Sequence, residues 1–125
     1  MASAESLLYG PYDFNARDTQ TNVVANATQA APQVDQSHYV DGLTISASAA
    51  PAASVAVQLI EDIAGAATVR WEAQIPAAAF LPIDIDFKKA FVIAKGKSVT
   101  LQLPALGAGV TAKVAVRGIT RFSSQ

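Results

Sequence analysis

The chain has 125 residues, 51% of them hydrophobic and only 15% charged, with one histidine and no cysteine. That length fits one domain burying roughly two-thirds of its unfolded surface. The missing cysteines exclude a disulfide framework and thiolate metal sites, and no apolar run approaches the roughly 20 residues a membrane-spanning helix needs. Net charge is only −1, yet through Asp86 two basic residues face ten acidic ones (net −8), and from Phe87 onward there are seven basic and no acidic residues (+7). Such a division marks either a basic face for an acidic partner or strands from the two halves that pair and neutralise each other; the second is the simpler expectation. A surface poor in charge is expected to meet other protein.

Residues 1–33 are rich in Asn, Thr, Gln and Ala, are broken early by Gly10-Pro11 and closed by Pro32. They read as an extended N-terminal arm, with one strand through Val23 and Val24 available within Thr19–Thr28. The first residues, from Met1 to Gly10, lack the basic start and apolar run of a secretory signal, so synthesis in a cytoplasm is expected. Asn26-Ala27-Thr28 then matches the glycosylation pattern by chance.

From residue 34 to 125 the reading is a single β-sandwich domain. Leu43, Ile45 and Ala47 alternate with Thr44, Ser46 and Ser48; Val55, Val57 and Leu59 alternate with Ser54, Ala56 and Gln58. A turn over Asp62–Gly65 reverses the chain into Val69, Trp71, Ala73 and Ile75, which predicts a hairpin. Ile83, Ile85 and Phe87 oppose Asp84 and Asp86; Val99, Leu101 and Leu103 oppose Ser98, Thr100 and Gln102; Val110, Ala112, Val114 and Val116 oppose Thr111, Lys113, Ala115 and Arg117. Loop chemistry at Pro76–Pro82, Lys95–Lys97 and Pro104–Gly109 separates these runs. About seven short strands predict an all-β antiparallel sandwich, with a jelly roll as one form.

The residues that could carry chemistry are few. His38 lies between Ser37 and Tyr39, with Asp35 and Asp41 nearby, but no Gly-x-Ser-x-Gly elbow exists and neighbours on a strand point to opposite faces. One histidine without cysteine is too little for a zinc site. Asp84 and Asp86 share one strand face about 7 Å apart, which reads as a solvated face rather than a glycosidase pair or calcium loop. Gly107-Ala108-Gly109 lacks the third glycine and lysine of a phosphate cradle and reads as a turn. Lys88, Lys89, Lys95, Lys97, Lys113, Arg117 and Arg121 form a basic set with too little aromatic interleaving for nucleic acid. Trp71 is expected in the core. No catalytic, cofactor-binding or metal residue is assigned, and no enzyme, cofactor, nucleic-acid or membrane function is expected.

The succession Val-Ala-Val-Gln-Leu-Ile-Glu-Asp (55–62), Val-Arg-Trp-Glu-Ala-Gln-Ile-Pro (69–76), Ile-Asp-Ile-Asp-Phe (83–87), Ser-Val-Thr-Leu-Gln-Leu-Pro (98–104) and Gly-Val-Thr-Ala-Lys-Val-Ala-Val-Arg-Gly (109–118) resembles small β-sandwich virion proteins of tailed bacteriophages, the capsid decoration or cement proteins. The resemblance covers residues 40–122 and rests on strand rhythm. It implies a non-enzymatic structural protein on the outer capsid surface, binding the major capsid protein and neighbouring copies of itself, as trimers or single copies, with the arm contacting the capsid. The alternative is a carbohydrate- or receptor-binding module of a phage tail or fibre, with Trp71, Tyr39 or Tyr12 as a stacking platform.

Overall fold

The computed structural model describes residues 14–78 and 82–122. They form eight strands and no helix: β1 (Phe14–Thr21), β2 (Ala25–Gln29), β3 (Gln36–Ala47), β4 (Val55–Glu61), β5 (Thr68–Ile75), β6 (Ile83–Val92), β7 (Val99–Leu103) and β8 (Thr111–Phe122). One sheet runs β1-β8-β3-β6 and the other β2-β7-β4-β5. The antiparallel pairs β1/β8, β2/β7, β3/β6 and β4/β5 are nested from the chain ends inward, as in one long hairpin. Pairing of β3 with β8 and of β4 with β7 rolls that hairpin into two sheets. This is the expected all-β antiparallel sandwich, and its topology is the jelly roll.

The core lies where the inward sets of the two sheets meet. Leu43, Ile45, Val114 and Val116 from one sheet pack against Val57, Leu59, Leu101 and Leu103 from the other, all buried. Each set is the apolar half of a period-two run, so burial follows from the pleat.

The expected arm of residues 1–33 is corrected. Residues 14–21 pair along β8 and residues 25–29 pair with β7, and Phe14, Ala25 and Ala27 belong to the core. Instead of one strand through Val23 and Val24, the chain turns there. Asn22 takes φ 53°, which Asn tolerates better than most residues, and its N–H donates to Val110 O at 3.1 Å. The remaining part of that expected arm, residues 1–13, lies outside the described residues.

Two irregularities shape the open edge of the sandwich. Along β4 and β5, Leu59 pairs with Trp71 but Ile60 pairs with Val69, so a bulge moves Val69 off the face expected for it and leaves it 48% exposed. Between β3 and β6, Gly42 pairs with Asp86 and Val40 with Phe91, leaving residues 87–90 opposite Asp41 alone. Phe87 sits edge-on to both Trp71 (centroids 5.8 Å) and Phe91 (4.8 Å). This aromatic row packs against the core.

Candidate functional site

The outer face of the β1-β8-β3-β6 sheet carries the polar half of the same alternation. Register sets its rows: Arg17 lies beside Ala115, Ala115 beside Thr44, and Thr44 beside Asp84. One row on, Thr19, Lys113 and Ser46 stand side by side; in the other direction come Asn15, Arg117, Gly42 and Asp86. Large side chains thus surround the small Ala115. The result is a concavity of about 430 Å³ whose lining includes Asn15, Arg17, Thr44, Ser46, Lys113 and Ala115.

The two sides of this face differ electrostatically. Toward β6, Arg117 is largely buried and engages Asp84 at 3.1 Å and Asp86 more closely still. It also donates to Thr44 Oγ1 at 3.1 Å and to Ile85 O at 3.2 Å, while Thr44 Oγ1 donates to Asp84 Oδ1 at 2.9 Å. Asp41, at the bulge beside this cluster, has its carboxyl pushed up from the usual range by burial; Arg117 opposes that shift and Asp86 adds to it. Toward β1, Arg17 and Lys113 are exposed and form no ion pair among the described residues.

The residues singled out in the sequence are placed as follows. His38 is buried, with Nε2 2.7 Å from Ala30 O and Nδ1 2.8 Å from Thr120 Oγ1. A carbonyl only accepts, so Nε2 carries the proton and Nδ1 accepts from the Thr120 hydroxyl. Burial holds this imidazole below its ordinary pKa, with the Ala30 bond acting in the opposite direction. Ser37 is also buried, and its hydroxyl has no hydrogen-bond partner, for which the structure gives no physical reason. The two side chains leave the strand on opposite sides, so they form no nucleophile and base pair.

Asp84 and Asp86 are 64% and 77% exposed at the side chain, the solvated face expected of them. No group of three or more metal-ligating side chains occurs among the described residues. The basic set does not act as one patch: Lys97 is 3.7 Å from Asp62, Arg117 belongs to Asp84 and Asp86, and Lys113 stands by the concavity. The charge division of the sequence therefore closes on itself in part, through Lys97–Asp62 and Arg117–Asp84/Asp86. Trp71 faces inward against Phe87, Tyr39 is half-buried, and Tyr12 lies outside the described residues, so Trp71 is no open stacking platform. The concavity itself was not visible in the sequence, because one side of it comes from the segment read as an arm. Its one local signal is the alternation of Phe14 and Ala16 with Asn15 and Arg17.

No protein-family model matches this chain, and no curated protein matches it. Among solved structures it is similar to a carbohydrate-binding module, CBM36, in complex with calcium and xylotriose, at 12% identity and TM-score 0.43, over 84% of this chain and 78% of that one. It is similar to PirA at 12% identity and TM-score 0.42, over 84% and 94%. It is similar to the N-terminal cellulose-binding domain of Cellulomonas fimi β-1,4-glucanase C at 9% identity and TM-score 0.43, over 88% and 90%.

Proposed function

We propose that this chain is a non-catalytic binding module and that it takes carbohydrate on the outer face of the β1-β8-β3-β6 sheet. The observation that carries this reading is the concavity over Ala115, ringed by side chains with unused hydrogen-bonding capacity. Among the described residues, the side chains of Asn15, Thr19 and Ser46 make no hydrogen bond, and Arg17 and Lys113 no ion pair. Hydroxyls and amides offer donor and acceptor together, which matches the paired donor and acceptor of a sugar hydroxyl. A few convergent polar groups in a concave site are the usual basis of small-ligand recognition. With the aromatic row turned into the core, recognition here works through hydrogen bonds rather than stacking. A glycan array probed with the full chain and with Ala115→Trp tests it: filling the floor of the concavity abolishes binding while the fold, checked by circular dichroism, is retained. Binding that survives this substitution overturns the assignment of the face.

A second reading is favoured by a separate observation. Val23 and Val24 are 51% and 44% exposed at the tip of the β1–β2 turn, and adjacent exposed valines on a projecting tip suit a protein partner. On this reading the chain is a virion surface protein of a tailed phage that binds the major capsid protein and neighbouring copies of itself. Co-sedimentation with undecorated phage heads tests it; saturable binding weakened by Val23→Ser with Val24→Ser supports the reading, and no binding by the full chain sinks it.

A further inference from the structure

The carbohydrate reading leaves open which saccharides the face takes, and the distribution of charge across it narrows the class. Building on that reading, we infer that the concavity over Ala115 binds an acidic saccharide, one carrying carboxylate or sulfate groups, held by Arg17 and Lys113.

Three observations converge. Arg17 pairs with Ala115 across β1 and β8, and Lys113 stands two residues from Ala115 on β8. The two cations are therefore diagonal neighbours on one face, about 7–8 Å apart at the backbone level, both overlooking the same small side chain. Secondly, their charge is uncompensated. Asp84 and Asp86 lie on β6 at the opposite edge, about 14 Å from Arg17 on β1 and about 10 Å from Lys113 on β8 at the usual strand spacing, and are already engaged by Arg117. The remaining carboxylate of the lining is that of Asp18, the neighbour of Arg17 on a strand whose side chains alternate in direction. Its oxygens are taken by the Asn26 N–H at 2.9 Å, the Thr19 N–H at 3.0 Å and the Gln20 amide. Thirdly, the groups between the cations and around them, Asn15, Thr19 and Ser46, are neutral hydrogen-bonding side chains suited to sugar hydroxyls.

A neutral sugar would use that neutral lining but leave both cations without a counter-charge. A nucleic acid would satisfy the cations, but among the described residues no aromatic side chain lines the concavity for bases to stack on. An acidic saccharide uses both features. Charge-assisted bonds from Arg17 and Lys113 to carboxylate or sulfate oxygens are the stronger kind, and they place the ligand over the β1–β8 half of the sheet, away from Asp84 and Asp86.

The test is calorimetric titration of the full chain with a short polygalacturonate, with the same oligomer methyl-esterified to remove its charge, with a sulfated heparin-type oligosaccharide, and with single-stranded DNA as a polyanion without sugar acids. The expected result is that one of the acidic saccharides binds at least tenfold more tightly than the esterified oligomer. Arg17→Gln and Lys113→Gln, both at exposed positions, should each weaken it about tenfold and weaken binding of the esterified oligomer by a smaller factor; equal weakening of both oligomers overturns the inference. Equal affinity for charged and esterified oligomers overturns this inference and leaves the carbohydrate reading standing. Absence of binding to every saccharide overturns both. DNA bound as tightly as the acidic saccharides replaces the inference with a general polyanion surface.

Discussion

The Arg117 guanidinium occupies the space a side chain on Gly42 would need: a Cβ there would lie 2.5 Å from Arg117 Nη2 and equally close to Ile85 O. Gly42 follows the bulge residue Asp41 on β3, so the small residue and the bent strand together let a buried cation lie flat across the sheet and hold Asp84 and Asp86. Gly42→Ala is expected to push against both a backbone carbonyl and the guanidinium, lowering stability by about 1–3 kcal/mol. Gly118→Ala should cost more, because its Cβ would collide with the Tyr39 carbonyl and come within 2.8 Å of the Phe14 ring. Gly109→Ala meets nothing within 4 Å and carries only the strain of φ 74°, about 1 kcal/mol. Urea unfolding of the three variants checks the order; a Gly109 variant as damaged as the Gly118 variant contradicts it.

Removing residues 1–33 is expected to unfold the protein rather than merely trim it. The deletion takes Phe14, Ala25 and Ala27 from the core and strips β8 and β7 of their partners along β1 and β2. The loss is comparable to the whole stability of a domain this size, about 5–15 kcal/mol. A cooperative urea transition in the truncated chain would restore the view of this segment as an arm.

That segment also shows where sequence patterning stops. Strands β3 to β8 were legible because Val, Ile, Leu and Phe fill most of their inward positions. In β1 and β2 the inward positions after Phe14 hold Ala16, Asp18, Gln20, Ala25 and Ala27, a set too small and too polar to register as an apolar face. The two large apolar residues between them, Val23 and Val24, sit at the turn. Ala suffices inside because this edge of the sandwich is narrow, with β1 and β2 in close approach. The candidate site stayed hidden for a related reason: it requires Arg17 next to Ala115, a pairing fixed by closure of the sheet and not by any local spacing. The core role of Trp71 was legible, whereas the bulge that takes Val69 off the same face was not.

At the open edge, Phe87 is the centre of the aromatic row, touching Trp71 on one side and Phe91 on the other. Phe87→Ala removes both edge-to-face contacts and opens Trp71 to water. The expected cost is about 2 kcal/mol, below that of a fully buried phenylalanine because Phe87 is only half-buried, with a red shift of tryptophan emission in the folded state. Since Trp71 is the sole tryptophan, the emission reports this site alone; an unchanged spectrum would mean that Phe87 does not shield it.

The buried imidazole of His38 links stability to acidity. Burial keeps its pKa in the folded protein below the ordinary 6.5, so as pH falls the unfolded chain takes up the proton first. The sign follows: this contribution is fully present above about pH 6.5, declines as pH drops below it, and levels off once pH passes the folded-state pKa. One proton sets the limiting slope at about 1.4 kcal/mol per pH unit. The edge-to-face contact with Phe14, at 5.1 Å between centroids, places an aromatic ring where a charged imidazole would want water. The protein should therefore lose more stability between pH 7.5 and pH 5 than a His38→Gln variant, which has no titrating ring at this position. Urea midpoints for both chains at the two pH values measure the difference, and parallel losses in the two chains would assign the acid sensitivity to other groups.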